Sequence, residues 1–200
     1  MTPRLRVIAG TLGGRRFAAP AGIRPTTDRV REAVFASLGQ RVHDATVLDL
    51  CAGSGAFGIE ALSRGAVRAV LVDADHRAVR TCRENLASLG LGDRARVQSQ
   101  TMQRFLAATA PPEAPFDLVG CDPPYDHLDA EIVATLAALS APGWLAPGAL
   151  VVVERRVPPR NVSPSEWPDL LSERGAGGWS VAWERSYGDT LVRALEISEA

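Results

Sequence analysis

The chain has 200 residues, of which 46% are hydrophobic and 22% are charged, and its formal net charge is −1 at pH 7. These values predict one globular domain with a sizeable core and exclude a disordered chain. No apolar run approaches the ~20 residues of a membrane span, and the N-terminus does not resemble a signal peptide. A cytoplasmic location is therefore expected.

The N-terminal segment is strongly basic. Residues 1–31 contain seven arginines and a single aspartate, so this segment carries a charge of +6 and the rest of the chain −7. A basic arm on an acidic body favours a polyanion bound at one end, although a solvated arm would have the same composition. In this arm we predict a short strand or hairpin over 4–17, and a helix from Thr26 or Thr27 to about Leu38.

Beyond the arm, apolar runs alternate with helix-like segments. Strands are predicted at 46–51, 67–72, 95–98, 116–121 and 149–154. Helices are predicted between them, at about 56–64, 75–89, 102–109 and 128–140. This alternation indicates an α/β fold with a doubly wound, mostly parallel sheet. Residues 157–178 are predicted to form a long loop, and the period of two over 179–184 and 191–197 predicts a hairpin that adds antiparallel strands to one edge.

The cysteines and histidines show no metal-binding pattern. Cys51, Cys82 and Cys121 lie far apart in the chain and form no CxxC pair. The three histidines are also scattered. We therefore expect neither a disulfide framework nor a metal site.

A glycine-rich segment follows the first core strand. The sequence Gly53-Ser54-Gly55-Ala56-Phe57-Gly58 matches GxGxxG and opens a predicted helix. Such a turn brings backbone N–H groups close to a ligand, and Asp73 after the next strand is placed to accept both hydroxyls of a ribose. This arrangement indicates an adenosine-containing cofactor, against the alternative that the glycines serve only strand–helix packing.

The identity of that cofactor depends on Asp49. NAD is one candidate, but Asp49 lies inside the strand, where dinucleotide-binding proteins generally have apolar residues. A buried acid needs a partner, and a cationic amino group on the ligand would supply one. S-adenosylmethionine carries both such a group and a ribose.

The sequence Asp122-Pro123-Pro124-Tyr125 follows the predicted strand 116–121, at the edge where ligands bind in open α/β sheets. Asp122 and the carbonyl of Pro123 offer two adjacent acceptors, which match the two N–H donors of an exocyclic amine on a nucleobase. Holding both donors would draw the nitrogen lone pair out of conjugation and aim it at an electrophile such as a sulfonium methyl. Tyr125 is suited to stack on the base. An Asp-capped turn is the alternative interpretation.

Together these motifs resemble the RsmD family, the bacterial small-subunit ribosomal RNA guanine-N2 methyltransferases. The resemblance covers nearly the whole length, and its specific segments are 6–10, 14–16, 24–32, 49–58, 60–65, 122–125 and 187–190. The segment 24–32 distinguishes this family from generic methyltransferases, which have the glycine loop but lack this arginine-rich N-terminal segment.

The resemblance implies a Rossmann-like class I methyltransferase fold with a C-terminal antiparallel hairpin and a short basic N-terminal extension. A single domain is expected over 1–200, with the arm and its helix at 1–40 and the catalytic core at 41–200. S-adenosylmethionine would be the cofactor. Its expected contacts are Asp49, Ala52, Gly53, Gly55, Asp73, Thr101 and Met102.

The remaining implied roles concern the substrate. Asp122, Pro123 and Tyr125 would hold the target guanine of 16S ribosomal RNA, in a partly or fully assembled small subunit. The expected phosphate contacts are Arg15, Arg16, Arg24 and Arg29. The family often has Asp or Asn near the adenine, where this chain has Thr101. Either the Thr101 hydroxyl is expected to bond adenine N6, or the Met102 backbone N–H is expected to bond N1. A monomer is expected.

Three other functions stay open on the sequence. A DNA adenine-N6 methyltransferase would use the same Asp-Pro-Pro-Tyr motif, but the chain has no separate segment of the size of a target-recognition domain. An NAD-dependent oxidoreductase would require neither that motif nor the basic arm. A binding module that has lost activity is disfavoured by the presence of Asp49, Asp73, Asp122 and Tyr125.

Overall fold

The computed structural model describes residues 4–20, 28–123, 129–157 and 167–198. The strands are β1 (Arg4–Arg6), β2 (Arg16–Ala18), β3 (Thr46–Leu50), β4 (Arg68–Asp73), β5 (Ala95–Ser99), β6 (Phe116–Cys121), β7 (Leu145–Arg156), β8 (Trp179–Tyr187) and β9 (Thr190–Ile197). The helices are α1 (Asp28–Leu38), α2 (Ala56–Ser63), α3 (His76–Leu89), α4 (Met102–Leu106), α5 (Asp129–Leu139) and α6 (Trp167–Glu173).

A seven-stranded sheet in the order β5-β4-β3-β6-β7-β9-β8 forms the centre of the fold. The five strands from β5 to β7 pair in parallel, whereas β9 pairs antiparallel with both β7 and β8. These pairings confirm the predicted doubly wound sheet and its C-terminal hairpin. The strand order reverses between β3 and β6, and this is where a parallel sheet opens a crevice for ligands.

Apolar side chains cover both faces of the sheet. Successive residues of one strand alternate between two core clusters, as Val47 and Leu48 of β3 do. One cluster contains residues of α1, α2 and α3, and the other contains residues of α4, α5 and α6. Burial on both faces explains why the core strands read as nearly continuous apolar runs. Within the described ranges, no helix has both the length and the apolar character needed to cross a membrane.

The region 157–178 contains a helix that the sequence analysis missed. Residues 167–173 form α6, so the prediction of a continuous long loop was wrong there. Pro168 lies in the first turn, where its missing N–H breaks no helical hydrogen bond. Trp167 and Leu171, one helical turn apart, are fully buried and fix the helix to the core. The other differences are smaller: β7 begins at Leu145 and α4 ends at Leu106.

The predicted N-terminal hairpin is present and lies against α2. Strands β1 and β2 pair antiparallel, with Leu5 opposite Phe17. The Ser63 hydroxyl donates to the Ala9 carbonyl at 2.5 Å and accepts from the Leu12 N–H at 3.0 Å. Gly10 has φ of +82°, and a Cβ there would lie 1.9 Å from the carbonyl oxygen of Ser63. Only glycine fits this close contact of the arm with α2.

A second attachment joins the arm to α3. The buried Asn85 carboxamide accepts from the Ala18 N–H at 2.8 Å and donates to the Ala18 carbonyl at 2.9 Å. Its NH₂ group also donates to the carbonyl of Ser54, in the glycine loop, at 2.9 Å. One side chain therefore connects the arm, α3 and the glycine loop.

Candidate active site

A cavity of about 550 Å³ opens at the carboxyl ends of β3, β4 and β6. It is the crevice expected where the strand order reverses. The structure brings together at this cavity the following residues predicted from the sequence: Asp49, Ala52, Gly53, Asp73, Met102, Asp122 and Pro123.

Asp49 is a buried acid in the cavity wall. It is 4% exposed, and its Oδ2 accepts a hydrogen bond from the Gly58 N–H at 3.0 Å. Burial, with smaller contributions from the nearby charges of Asp122 and Asp73, raises the pKa of Asp49 from 3.8 to about 7, although the Gly58 hydrogen bond lowers it. Among the described residues, no cation lies within ion-pairing distance of Asp49, so a positive group of a ligand would stabilise its charged form.

Asp73 joins the glycine loop to the end of β4. Its Oδ2 accepts from the Gly53 N–H at 2.7 Å, and its Oδ1 accepts from the Asp75 N–H at 2.8 Å. Gly53 has φ of +57°, a conformation in which L-residues other than glycine are strained. The carboxylate thus fixes the loop and still lines the cavity, where its remaining lone pairs suit a ribose diol.

Gly55 and Thr101 are not among the residues that line the cavity. A Cβ at Gly55 would lie 2.8 Å from the Cys82 sulfur and 3.0 Å from Leu71, so this glycine permits close packing of α2. The Thr101 hydroxyl accepts from the Arg104 N–H at 3.2 Å and caps α4. The cofactor contacts expected from these two residues remain predictions.

The end of β6 forms the other wall of the cavity. Asp122 is exposed and Pro123 is buried, and both line the cavity. Phe57 packs against the backbone of this strand, because a Cβ at Gly120 would meet its ring at 2.6 Å. Tyr125 lies outside the described residues, so the expected stacking on a base remains a prediction.

The thiols at the cavity are suited to packing. Cys51 and Cys121 line it, and both are free. Burial raises the pKa of Cys51 to about 12 and that of Cys121 well above its usual range. Both thiols therefore stay protonated at neutral pH and are poor nucleophiles.

Three charged residues of the cavity wall were missed by the sequence analysis: Arg31, Asp75 and Glu154. Arg31 of α1 was assigned to the basic arm, yet it is buried. Its spacing to Val34, Phe35 and Leu38 places it on the buried face of α1, and this spacing was the available signal. Glu154 ends the apolar run of β7 beside β6, and a charge at the carboxyl end of a parallel strand was the signal there.

The residues predicted to contact RNA lie on the surface where they are described. Arg15, Arg16 and Arg29 are exposed. The Arg15 guanidinium donates to the Ser88 carbonyl of α3 at 2.9 Å, which holds the hairpin against the body. Arg24 lies outside the described residues.

Three features define a Rossmann-like class I methyltransferase. They are the strand order, the antiparallel β9 between β7 and β8, and the cavity between the glycine loop and Asp122 at the end of β6. The family described as "Conserved hypothetical protein 95" matches residues 5–184. The ribosomal RNA small subunit methyltransferase D of Escherichia coli (strain K12) is 41% identical over 156 residues, which cover 77% of this chain and 76% of that protein. The enzyme of the same name from Haemophilus influenzae is 36% identical over 177 residues, which cover 86% of this chain and 89% of that protein.

A solved structure agrees with these relatives. The Escherichia coli protein yhhF superposes with a TM-score of 0.80 at 36% identity, covering 99% of this chain and 100% of that one. The chain therefore belongs to the RsmD family of ribosomal RNA methyltransferases, whose cofactor is S-adenosylmethionine. The family and the fold class predicted from the sequence are confirmed.

Proposed function

We propose that this protein transfers a methyl group from S-adenosylmethionine to the N2 amine of a guanine in small-subunit ribosomal RNA. One observation carries the proposal: Asp122 and Pro123, which offer acceptors for an amine, share a cavity with Asp49 and Asp73, which suit the cofactor. Membership of the RsmD family supports the same reaction.

The cavity suits S-adenosylmethionine in two respects. Asp49 is a buried carboxylate that a cationic amino group would stabilise. Asp73 is fixed by the Gly53 and Asp75 N–H groups in an orientation suited to a ribose diol. When bound, the cofactor supplies an electrophilic methyl group on its sulfonium.

Asp122 and Pro123 would act on the amine of the base. The Asp122 carboxylate and the Pro123 carbonyl each accept one N–H of the exocyclic amine, and this directs the nitrogen lone pair toward the cofactor. No strong base is required for attack, because the amine becomes far more acidic once it is alkylated. Asp122 is exposed, so the released proton passes readily to water.

The substrate we propose is 16S ribosomal RNA in a partly or fully assembled small subunit. A chain of 200 residues with a short arm has little surface for reading a nucleotide sequence, which favours recognition of the shape of the particle. We further propose that the protein acts as a cytoplasmic monomer and as a single domain, with its arm and helix at 1–40 and its core at 41–200. The target base must be unstacked to enter the cavity.

We predict that the exposed arm arginines contribute mainly electrostatic affinity for RNA. Replacing Arg16 and Arg29 together with glutamine should weaken RNA binding and reduce the slope of log affinity against log salt by about 0.7–0.9 per lost phosphate contact. Fluorescence titration of ribosomal RNA over a salt series measures both quantities. Arg68→Gln is the matched control, because this exposed arginine begins β4, at the end of the strand away from the cavity. Equal slopes for the double variant and the wild type would refute a phosphate contact.

We predict that cofactor binding depends on the ionisation of Asp49. The pKa of Asp49 is about 7 in the free protein, so affinity for S-adenosylmethionine should fall below pH 7, approaching tenfold per pH unit well below that value. Because the pKa is raised above its usual 3.8, the free energy of unfolding of the cofactor-free protein should fall as pH rises from about 4 to about 7. Calorimetric titration from pH 5.5 to 8.5 tests the dependence. The Asp49→Asn variant should bind S-adenosylmethionine weakly at every pH. If the affinity of this variant still changed with pH, the dependence could not be assigned to Asp49.

The reaction itself is tested by methyl transfer from labelled S-adenosylmethionine. Small subunits from cells that lack the gene are offered beside protein-free 16S RNA and duplex DNA. Label recovered as N2-methylguanosine in ribosomal RNA supports the proposal, and the comparison of subunits with free RNA identifies the substrate. Label in DNA alone would favour an adenine-N6 enzyme, and absence of cofactor binding would overturn the interpretation of the glycine loop.

A further inference from the structure

Glu154 brings a second acidic side chain to the end of the cavity that holds Asp122. Strands β6 and β7 pair in parallel, and their last paired residues are Cys121 and Val153. Asp122 and Glu154 follow these residues directly, and neighbouring strands of a sheet lie about 4.8 Å apart. Both residues line the cavity, where Glu154 is 9% exposed and Asp122 is exposed. The structure thus places two acids next to each other on one wall.

The direction of the Glu154 side chain follows from the pleat of β7, because successive residues of a strand point to opposite faces of the sheet. Val152, two residues earlier, belongs to the core cluster that contains residues of α1, α2 and α3, and so does Val192, which pairs with Glu154. Arg155 points to the opposite face, where its guanidinium lies 5.5 Å from the centre of the Trp167 ring. Glu154 therefore faces the cavity, and the positive charge that follows it in the chain does not.

The wall around the two acids is apolar and suits a flat ring. Gly120, Phe57, Val152 and Val192 all line the cavity there. Gly120, two residues before Asp122, leaves its backbone bare for the Phe57 ring, since a Cβ at Gly120 would meet that ring at 2.6 Å. Phe57 is half-buried, so part of its side chain faces the cavity. A nucleobase placed here has apolar groups against its faces and two acids at its edge.

Guanine is the one base of RNA that has a ring N–H beside its exocyclic amine. Its N1–H and its N2 amine are donors on the same edge, whereas adenine N1 and cytosine N3, which lie beside the amines of those bases, are acceptors. An ionised carboxylate accepts hydrogen bonds and has none to donate. A carboxylate next to the groups that hold the amine therefore favours guanine and opposes the ring lone pair of adenine or cytosine.

We propose that Glu154 accepts a hydrogen bond from the N1–H of the target base and thereby selects guanine for methylation. The inference rests on the proposed function and deepens it, because Asp122 and Pro123 would accept the exocyclic amine of any base. Glu154 is then a specificity-determining residue that takes no part in the transfer of the methyl group. The choice of base is made on β7, one strand away from the residues that hold the amine.

The experiment replaces the target guanine with 2-aminopurine, which keeps the 2-amine but has an acceptor at N1. Methyl-transfer labelling first locates the target, and small subunits are then assembled from 16S RNA with either base at that position. In the wild type, kcat/KM for guanine should exceed that for 2-aminopurine by about 100-fold or more, because the carboxylate would face a lone pair. In Glu154→Gln, the amide can donate to N1 of 2-aminopurine, so this preference should fall below about tenfold. A lost contact to guanine O6, which 2-aminopurine also lacks, would not be restored by glutamine.

A matched control separates base selection from a structural role. Glu196→Gln changes a carboxylate of β9 that lies opposite Leu150 and does not line the cavity, so it should leave the preference for guanine unchanged. Calorimetry should show that Glu154→Gln binds S-adenosylmethionine with an affinity within about threefold of wild type. If Glu154→Gln instead lost activity equally on both bases, with the preference unchanged, the proposal would be overturned and Glu154 would have a structural role only.

Two further results complete the test. If Glu154→Gln does not fold, Glu154→Asp withdraws the carboxylate by one methylene and should reduce the preference for guanine, and an unchanged preference would contradict the proposal. If the wild type forms no N2-methylguanosine in small subunits, the proposed function fails. If it methylates guanine and 2-aminopurine equally well, this inference alone fails.

Discussion

Asp122→Ala is expected to abolish methyl transfer, lowering kcat by about 10³-fold or more, while cofactor affinity remains within about threefold of wild type. Asp122 lies at the exposed mouth of the cavity, where we propose that it holds the target amine. Its loss leaves Asp49 and Asp73 in place. The substitution also removes a negative charge that raises the pKa of Asp49. Asp49 is then more fully ionised, and this favours binding of a cationic amine. Single-turnover kinetics and calorimetry measure the two effects separately.

A second substitution at this position distinguishes an acceptor from a base. The Asp122→Asn side chain keeps one carbonyl acceptor but has no basic carboxylate, so this variant should retain part of the activity if Asp122 acts only as an acceptor. Equal inactivity of Asp122→Asn and Asp122→Ala would instead indicate a general base. Asp93→Asn, in an exposed turn, serves as the control. Substantial turnover by the Asp122→Ala variant would refute the proposal that Asp122 holds the target amine.

Glu60→Gln is expected to lower the free energy of unfolding by about 3–5 kcal/mol, the usual cost of removing one partner of a buried ion pair. Glu60 is 1% exposed and accepts hydrogen bonds from two backbone N–H groups of the arm, on Ile8 and Ala9. It also accepts from the Arg64 Nε at 2.6 Å and lies 3.8 Å from Arg31. Glutamine would leave both guanidinium groups with less compensating charge. Urea denaturation without cofactor measures the loss.

The same variant should loosen the arm locally. Amide hydrogen exchange at Ile8 and Ala9 is expected to accelerate more than exchange in β3. Glu84→Gln, at an exposed position of α3, should change stability by no more than about 0.5 kcal/mol. A loss below about 1 kcal/mol for Glu60→Gln would mean that other groups compensate the two arginines.

The parts of the fold and site that follow from strand position could be predicted from the sequence. Strands β3, β4 and β6 are buried on both faces. The glycine loop follows β3, whereas the apolar runs of β4 and β6 end at Asp73 and Asp122. Parallel pairing then brings the carboxyl ends of these strands to one edge. Asp73 and Asp122 consequently lie at one cavity although 49 positions separate them in the chain.

The parts that depend on contacts between distant segments could not be predicted in this way. The spacing of Arg31 to Val34 and Leu38 indicates that it lies on the buried face of α1, but its ion pair with Glu60, on another helix, has no signal in the local sequence. In the same way, Pro168 and the glycines around 175–178 suggest a loop, and α6 forms because Trp167 has a place in the core. In α6, packing overrode local propensity.

The attachment through Asn85 has a consequence for the choice of target. Because this side chain holds both Ala18 of the arm and Ser54 of the glycine loop, the hairpin that carries Arg15 and Arg16 is joined to the loop that borders the cavity through one residue. With the RNA contacts that we propose for Arg15 and Arg16, we expect the enzyme to select a guanine by its distance from the point where the arm docks. Inserting one base pair into the RNA between that point and the target should therefore prevent methylation, even where every contacted nucleotide is unchanged.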